Sequence, residues 1–330
     1  MTQYDCEATV AGLMRALPYI RLYRGRVFVI KFGGSLIAEP EALRQVVEQV
    51  KVFQEVGIRV VLIHGGAPQT TALARKMGFE TPFVAGRRVT TPQAMEAAVM
   101  ALNGTANTAV LSACRAVDLP AIGMSCVDAG LVRARLRPPV EIPDAQLGSV
   151  TVDFGQVGDI ASVDRTILDR LIDSGFVPIV SPVSADDQGR LLNINADTVA
   201  SAIACAVDAE KLVFLTDTPG ILENKRDLSS MVSCIDLAGL EAMEGRGVID
   251  GGMLPKVSAA RAALSGGVRR IHMVGFRQRL SLLMEIFTNE GAGTLVVRDL
   301  AALPPAEQGA TPATDAGAAR ATIRTGAAGG

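Results

Sequence analysis

Residues 27–35 read VFVIKFGGS, a short apolar run that leads into Lys31 and then into the pair Gly33 and Gly34. Such a run is typical of a strand that is buried on both faces. Ligands of α/β proteins bind outside the carboxyl ends of such strands, where glycines let backbone N–H groups approach an anion. Taken alone, the pattern fits equally well a lysine at a strand edge followed by a turn.

A second glycine loop follows the next apolar strand, at residues 63–68, which read IHGGAP. If the two strands are neighbours, amides from both glycine loops converge on one phosphoryl group. His64 could act as a catalytic base, but we favour a supporting role in which it bridges the loop and its neighbours by hydrogen bonds. Pro68 fits the start of the following helix.

Two helix starts carry charged side chains, at residues 193–197 (NINAD) and 251–256 (GGMLPK). Asn195 is a typical N-cap, and Asp197 complements the helix dipole, which explains both without any function. Lys256 stands at a helix N-terminus that suits phosphate, although it also fits an exposed helix lysine. Together with Lys31, these residues supply two cations and an organising carboxylate, as phosphoryl transfer requires.

Other nucleotide-site and hydrolase motifs are absent from the sequence. It contains no P-loop, no H-E-x-x-H, no G-x-G-x-x-G after a strand, and no protein-kinase set of H-R-D and D-F-G. We therefore predict no metal-ligand site of this kind and disfavour a dehydrogenase. With only 2 histidines, base catalysis has few candidates. A carboxylate acceptor has a pKa of about 4.3 and is ionised at pH 7, so it needs no base to remove a proton.

Composition narrows the class of protein further. The chain has 330 residues, 49% of them apolar, and a formal charge of −2, so there is no basic footprint for nucleic acid. The 5 cysteines form no C-x-x-C pair and indicate reduced thiols. The N-terminus is unlike a secretory signal, and we expect no apolar run long enough to span a membrane. We therefore expect a cytoplasmic protein without a membrane partner.

Strands and helices alternate along most of the chain, which predicts a mostly parallel sheet covered on both faces. The predicted strands are residues 27–30, 60–63, 177–180, 212–215, 270–274 and 295–297, with β-rich pieces at 131–137 and 149–152. The predicted helices are residues 41–56, 69–77, 164–173, 196–207, 255–264 and 279–287, a long one after Thr91, and an N-terminal one that ends or kinks at Pro18.

The four segments resemble the acetylglutamate kinases of arginine biosynthesis, within the amino acid kinase superfamily. Further matching segments are residues 83–90 (FVAGRRVT), 152–159 (VDFGQVGD) and 215–222 (LTDTPGIL), so that the resemblance runs from about residue 16 to 297. It implies an α/β fold: an open, three-layer αβα sandwich with a mainly parallel, eight-stranded central sheet. It also implies transfer of the γ-phosphoryl group of ATP, with Mg²⁺, to the side-chain carboxylate of N-acetyl-L-glutamate.

The resemblance assigns roles to particular residues. Lys31 and Lys256 stabilise the transferring group, and Asp197 holds both lysines. The phosphate-binding amides are those of Gly33, Gly34, Gly65 and Gly66. The amino-acid substrate is bound by Gly65, Gly66, Arg88 (rather than Arg87) and Asn193. The nucleotide lies against Thr216, Asp217, Gly220 and Leu222.

The resemblance also implies regulation and a domain organisation. The N-terminal helix and residues 285–287 and 291–294 match the arginine-inhibited branch, in which His272, Glu285 and Gly291 line a site for L-arginine. This branch forms homo-oligomers, dimers or hexamers. The implied parts are an N-terminal helix (1–24), an amino-acid lobe (25–183), an ATP lobe (184–298) and a disordered tail (299–330).

One position departs from the family pattern, since Ala67 stands where a third glycine is usual. An alanine would be strained if that position needs positive φ, and tolerated if it does not. Two alternative functions therefore remain open at this point: a kinase for another small amino-acid carboxylate, of the aminoadipate type, and a non-catalytic, arginine-sensing regulatory subunit.

Overall fold

The structure, a computed structural model, describes residues 3–84, 87–144 and 148–302. Its α-helices are, in chain order, α1 (Gln3–Tyr23), α2 (Gly34–Ile37), α3 (Pro40–Glu55), α4 (Ala67–Lys76), α5 (Pro92–Val99), α6 (Asn107–Ala116), α7 (Thr166–Asp173), α8 (Ala196–Ala206), α9 (Leu237–Gly245), α10 (Met253–Ser265) and α11 (Ser281–Phe287). A π-helical stretch, Met100–Ala106, joins α5 to α6. Short 3-10 turns occupy residues 128–130, 228–230 and 300–302.

The strands are short, as is usual for a sheet of this class. They are β1 (Val27–Phe32), β2 (Arg59–His64), β3 (Phe83–Val84), β4 (Arg87–Arg88), β5 (Ala121–Ser125), β6 (Val132–Leu136), β7 (Val140–Asp144), β8 (Gly148–Val152), β9 (Gly158–Val163), β10 (Val177–Ser181), β11 (Val183–Ala185), β12 (Leu191–Asn193), β13 (Lys211–Thr216), β14 (Cys234–Asp236), β15 (Arg270–Gly275) and β16 (Gly293–Val297).

The central sheet has 8 strands in the order β14-β16-β15-β13-β1-β2-β10-β5. All neighbouring strands in it are parallel except β15 and β16, which are antiparallel. The apolar runs predicted from the sequence form its centre, because a strand covered on both faces needs apolar residues at successive positions. The predicted mainly parallel, eight-stranded α/β fold is confirmed.

Alternate residues of each strand feed two separate hydrophobic cores, one on each face of the sheet. Val29 of β1 packs with the α8 and α10 side chains on one face, whereas Phe28 and Ile30 pack with α3 and α6 on the other. This alternation is the period of two that a pleated strand imposes. The layers are therefore helix, sheet and helix, as expected for an open sandwich.

Smaller sheets lie beside the main one and were largely missed by the sequence analysis. A four-stranded sheet has the order β12-β11-β6-β9, and two hairpins pair β3 with β4 and β7 with β8. These strands are short or half exposed, so they lack the continuous apolar runs that identify the central strands. β12 ends at Asn193, and the β3–β4 hairpin carries Arg88, so two of the four predicted substrate residues stand on these additions.

Several predicted boundaries differ from the observed ones, and three of these differences are informative. Helix α1 continues through Pro18 to Tyr23 instead of ending there, since a proline costs one main-chain hydrogen bond and Tyr23 is packed in the core. Helix α10 begins at Met253, two residues before Pro255, which lies in its first turn. Of the tail predicted to be disordered, residues 300–302 form a 3-10 turn and residues 303–330 lie outside the described part.

The helical segment 92–116 is apolar and, with 25 residues, long enough to cross a membrane, which the sequence analysis did not recognise. Polar side chains interrupt the segment, and they bond inside the protein: Asn103 contacts Ser181, and Asn107 contacts His64. One side of the segment is buried: Val110 and Cys114 pack in the core on one face of the sheet, and Leu102 packs in a smaller cluster with Val183. The segment thus behaves as a helix that covers a sheet.

Candidate functional site

The two glycine loops lie side by side because the strands that precede them are adjacent. β1 and β2 are parallel, and Phe32 pairs with His64, so both loops leave the same edge of the sheet. The Gly65 N–H donates to the Phe32 carbonyl over 2.8 Å. A Cβ atom placed on Gly34 would lie 3.0 Å from the Gly66 Cα, so the loops are in van der Waals contact. The structure thus brings the four predicted phosphate-binding glycines together.

The predicted lysines and aspartate also meet at this edge. Asp197 Oδ1 lies 2.6 Å from Lys31 Nζ, and Asp197 Oδ2 lies 3.7 Å from Lys256 Nζ. Asp197 is held in place because it stands at the start of α8, where the Asn195 side chain accepts hydrogen bonds from the N–H groups of Asp197 (2.7 Å) and Thr198 (3.2 Å). The predicted N-cap is therefore confirmed, and it positions the carboxylate.

Burial shifts the pKa of Lys31, the first of the two lysines. Lys31 is 5% exposed. Desolvation lowers the pKa of its ammonium, the Asp197 carboxylate opposes this, and the Lys256 ammonium adds to it. Lys256 is the more exposed of the two lysines and donates to the Gly252 carbonyl over 3.3 Å. A single carboxylate between two cations leaves a net positive charge at the strand ends, which favours an anionic phosphoryl group.

His64 supports the second glycine loop and is not free to act as a base. Its Nδ1 donates to the Gly65 carbonyl over 2.9 Å, and its Nε2 accepts from Asn107 Nδ2 over 3.1 Å. These partners define one neutral tautomer, because a carbonyl only accepts and an amide N–H donates. Burial lowers the pKa of His64 to about 4. Asn107 was missed by the sequence analysis, since it follows His64 by 43 residues with no local signal.

The unusual alanine of the second loop sits in ordinary backbone. Ala67 is the first residue of α4, and the positive φ angles of the described non-glycine residues occur elsewhere. By contrast, a Cβ atom on Gly66 would lie 2.6 Å from Leu102 Cδ2. A side chain at Gly66 would therefore force Leu102 to shift, whereas the methyl group of Ala67 is accommodated.

Arg88 contacts the start of α4, which follows the second loop, and Asn193 contacts Thr90. Arg88 Nη2 donates to Thr71 Oγ1 (2.7 Å) and to the Ala67 carbonyl (3.4 Å), so it is anchored to the start of α4. Desolvation lowers the pKa of Arg88. Asn193 Nδ2 donates to Thr90 Oγ1 over 3.4 Å, two residues beyond Arg88 in the chain. Residues 85 and 86 of the same motif lie outside the described residues.

The predicted nucleotide residues follow β13, next to β1 in the sheet. Asp217 accepts a hydrogen bond from Ser35 Oγ over 3.1 Å, which joins this segment to the first glycine loop. Thr216 is buried and donates to the Thr218 carbonyl over 2.6 Å. Gly220 leaves no room for a Cβ atom, which would lie 3.1 Å from the Thr294 N atom, and Leu222 is buried.

A second cluster, about β15 and α11, unites the three residues assigned to arginine. His272 Nδ1 lies 2.5 Å from Glu285 Oε1, while Glu285 Oε2 accepts from the N–H groups of Ala292 (2.6 Å) and Gly293 (2.9 Å). Gly291 has φ 64°, and a Cβ atom there would lie 2.8 Å from Glu285 Oε2. Glycine is therefore required at 291 both by conformation and by space.

Lys211 completes this cluster and was not foreseen from the sequence. Its Nζ lies 2.9 Å from His272 Nε2 and 5.0 Å from the centre of the Tyr23 ring of α1. Burial and the Lys211 charge lower the pKa of His272 to about 4. Burial opposes ionisation of Glu285, but its hydrogen bonds, first that from His272, hold its pKa below the ordinary value. The N-terminal helix thus touches the cluster directly.

Comparison with known proteins is consistent with this geometry. The profile of the amino acid kinase family matches residues 26–275. The acetylglutamate kinase of Myxococcus xanthus (strain DK1622) is 43% identical over 295 residues, which are 89% of this chain and 96% of that protein. The acetylglutamate kinase of Symbiobacterium thermophilum is 42% identical over 288 residues, which are 87% of this chain and 97% of that one.

Among solved structures, the N-acetylglutamate synthase from Neisseria gonorrhoeae, complexed with coenzyme A and N-acetyl-glutamate, superposes with a TM-score of 0.72 and 27% identity. The match covers 88% of this chain but only 63% of the synthase, so the chain spans less than two thirds of that protein.

Proposed function

Since the chain belongs to the acetylglutamate kinases of the amino acid kinase family, we propose that it transfers the γ-phosphoryl group of ATP to the side-chain carboxylate of N-acetyl-L-glutamate. The observation that carries the proposal is the Lys31–Asp197–Lys256 set beside two glycine loops. A site with this charge and these amides suits a transferring phosphoryl group, and it offers no base.

The residues act by position and charge. A carboxylate oxygen of the acceptor forms the new bond to phosphorus as the bond from phosphorus to the ADP oxygen breaks, and ADP leaves with that electron pair. Lys31 and Lys256 flank the oxygens of the transferred group, where negative charge is spread in the transition state. Asp197 fixes the two ammonium groups, and the glycine amides bind the remaining oxygens. No proton moves, because the acceptor is ionised at neutral pH.

The acceptor would lie mainly against residues 25–183, with Asn193 reaching it from residues 184–298, the part that would bind ATP. Arg88 would pair with a carboxylate of the acetylated amino acid, and its hydrogen bond to Thr71 fixes the orientation of the guanidinium before the substrate binds. Asn193 would bind a second polar group of the same substrate. Discrimination between N-acetylglutamate and a longer, aminoadipate-type carboxylate then depends on the distance from Arg88 to the transferring group.

The nucleotide would lie along residues 216–222, with Mg²⁺ bound to its phosphates. The metal, which lowers the charge of the phosphates when bound, keeps several waters and needs few protein carboxylates. Asp217 fits this role, since its side chain is 56% exposed and close to the first glycine loop through Ser35. Asp197 fits it less well, because it is buried with both oxygens facing lysines. Asp217 instead meets Ser35 and Arg277 (3.4 Å) at the surface.

The proposal is tested by release of ADP from Mg·ATP, in a coupled assay with a panel of acceptors. We expect turnover with N-acetyl-L-glutamate and little with free L-glutamate or with N-acetyl-L-aminoadipate. Equal turnover with the aminoadipate derivative would favour the alternative acceptor. Folded protein that binds ATP but turns over no acceptor would favour a regulatory subunit.

We also propose feedback control by L-arginine at His272, Glu285 and Gly291. Support comes from a second complex of the Neisseria gonorrhoeae synthase, with coenzyme A and L-arginine, which superposes with a TM-score of 0.72 and 26% identity. A buried carboxylate is a suitable partner for a guanidinium. Arginine titration by calorimetry tests this site, and loss of the heat in Glu285→Gln, with ADP release retained, would identify the ligand-binding carboxylate.

A homo-oligomer is proposed from the surface of α1. Large apolar side chains lie exposed along it, including Leu13 (58%) and Met14 (61%), and such a stripe suits burial against another copy. Light scattering on wild type and on Leu13→Asp would separate a dimer or hexamer from a monomer. A cytoplasmic location is in keeping with segment 92–116, whose Asn103 and Asn107 bond within the protein.

A further inference from the structure

We propose that Gln69 is a positioning residue for phosphoryl transfer, because its side chain clamps the first glycine loop to the second. This inference rests on the proposed function of the site and adds to it a residue outside the lysine–aspartate set. Gln69 is the third residue of α4, directly after the second glycine loop. Its Nε2 donates to the Gly34 carbonyl over 2.8 Å, 35 residues away in the chain.

The orientation of the amide is fixed by its partner. A carbonyl oxygen only accepts hydrogen bonds, so the nitrogen of Gln69 must face Gly34. The Gly34 carbonyl also accepts the N–H of Ala38 over 3.1 Å, within α2. The peptide unit that starts α2 is therefore held from two directions, and because that unit is planar, the N–H group of Ser35 is held with it. This controls how the first loop presents its donors.

The loops leave no slack around this side chain. A Cβ atom on Gly34 would overlap Gln69 Oε1, lie 2.7 Å from Pro68 Cδ and lie 3.0 Å from Gly66 Cα. On the far side, Leu102 closes against Gly66, where a Cβ atom would lie 2.6 Å from its Cδ2. Gln69 thus fills the space between the loops. If it is shortened, both loops are free to move.

The oxygen of the Gln69 amide indicates that this residue serves to position the first glycine loop and not to stabilise the fold. Gln69 Oε1 is buried and has no hydrogen-bond partner among the residues that the structure describes. A buried carbonyl without a partner destabilises the fold, and an apolar side chain of the same length would avoid that cost. Local rules of this kind are broken at functional sites. We infer that the bond from Nε2 to Gly34 is what the site requires.

The test uses two variants and a matched control in the full chain. Gln69→Met removes the bond at nearly the same volume, and Gln69→Glu places a carboxylate oxygen against the Gly34 carbonyl. The control is Gln54→Met. Gln54 Nε2 donates to the Gly175 carbonyl over 2.6 Å, which is the same kind of bond, but Gly175 precedes the amino end of β10, at the opposite edge of the sheet from the glycine loops. Melting temperature and circular dichroism are measured for each protein.

Positioning predicts a specific kinetic pattern. We expect kcat to fall on the order of 10²-fold in Gln69→Met and further in Gln69→Glu, because small displacements of catalytic donors cost about this much. KM for both substrates should stay within about threefold. Affinity for Mg·ADP with aluminium fluoride, which imitates the transferring group, should fall together with kcat, and affinity for Mg·ADP alone should not. Gln54→Met should keep kcat within about twofold.

A merely structural role predicts something else. Gln69 variants that melt earlier but keep the kcat of Gln54→Met would overturn the proposal, as would equal losses of affinity for ADP and for its fluoride complex. If Gln69→Met does not fold, the size-matched Gln69→Glu decides. A wild type that does not phosphorylate N-acetyl-L-glutamate would refute the proposed function alone, since the fluoride-complex affinities, measured without acceptor, still test the clamp.

Discussion

Lys31 and Asp197 form a buried ion pair, with 2.6 Å between Nζ and Oδ1 and side chains only 7% and 6% exposed. They come from β1 and from the start of α8, far apart in the chain. Buried charges are retained only where they are paired, and this pair is shared with a second cation, Lys256. Asp197 therefore aligns two cations on one anionic group, and its removal should be felt more in catalysis than in binding.

Asp197→Asn should lower kcat by about 100-fold or more, with a smaller change in the KM for ATP, because the lysines lose their common anchor while the amides remain. Steady-state ADP release measures both constants. The control is Asp169→Asn, which breaks a half-exposed pair with Arg165 on the surface of α7 and should change kcat little. An Asp197→Asn enzyme with wild-type kcat would refute the alignment role.

Lys31→Arg should behave more like a loss than like a conservative change. The buried space around Nζ accommodates a compact ammonium 2.6 Å from Asp197, and a planar guanidinium has a different shape and reach. We expect the kcat of Lys31→Arg to be at least about 100-fold below that of wild type. The kcat of Lys31→Met should be at most about tenfold lower than that of Lys31→Arg. Nearly full activity in Lys31→Arg would mean that charge alone is needed at this position.

His64 should make the fold sensitive to acid. Its pKa in the folded protein is about 4, below the ordinary 6.5, because it is buried. The unfolded chain therefore binds the extra proton first, so stability is complete above pH 6.5, falls as the pH drops towards 4 and levels off below it. The total is about 3 kcal/mol, or roughly 1.4 kcal/mol per pH unit within the window.

Urea unfolding between pH 7.5 and 4 checks this for wild type and for His64→Gln, whose side-chain oxygen can accept from Asn107. His272 titrates in both proteins, so the difference in slope isolates His64. Equal slopes would show that His64 takes up its proton at the same pH in the folded and the unfolded protein, against the neutral tautomer that its hydrogen bonds define.

Gly34→Ala should destabilise the protein by about 1–3 kcal/mol, because the new methyl group overlaps Gln69 and crowds Gly66. Gly245→Ala is the control: it lies in α9 with no atom within 4 Å of the added Cβ, so it should be neutral or stabilising. Thermal unfolding of both variants gives the comparison. A Gly34→Ala protein as stable as wild type would mean that the two glycine loops can move apart with no loss in the free energy of unfolding.

Ala67→Gly should leave kcat within about threefold of wild type, because Ala67 has an ordinary φ at the start of α4 and a glycine adds no strain relief there. The same ADP-release assay measures it. A gain of tenfold or more would show instead that the methyl group obstructs the phosphoryl site.

Local patterns in the sequence predicted the centre of this fold and the phosphate site. The strands that carry Lys31 and His64 are short apolar runs that end in glycines, and the capping of α8 follows from Asn195 alone, so each is readable without knowledge of its neighbours. The number of strands in the central sheet and the residue roles came from the family resemblance instead. What the patterns missed depends on distant contacts: Asn107 and Gln69 look like ordinary helix polar residues until the fold places them beside the glycine loops.

The prediction of secondary structure from the sequence was wrong in places for a related reason. β14 has 3 residues, and β9 is half exposed, so neither shows a strong period. Helix α1 passes Pro18 because Tyr23 has a partner in the core, Phe28, at a ring distance of 5.3 Å. Such tertiary contacts outweigh local propensity and leave no mark in the nearby sequence.

Chemical capture of the product tests the proposed phosphoryl transfer directly. An acyl phosphate reacts with hydroxylamine to give a hydroxamate, so wild-type protein with Mg·ATP and N-acetyl-L-glutamate should form hydroxamate in step with ADP, and Asp197→Asn should form about 100-fold less. ADP without hydroxamate would mean that water or another group accepts the phosphoryl. Hydroxamate formed equally by wild type and Asp197→Asn would contradict the role of the lysine–aspartate set.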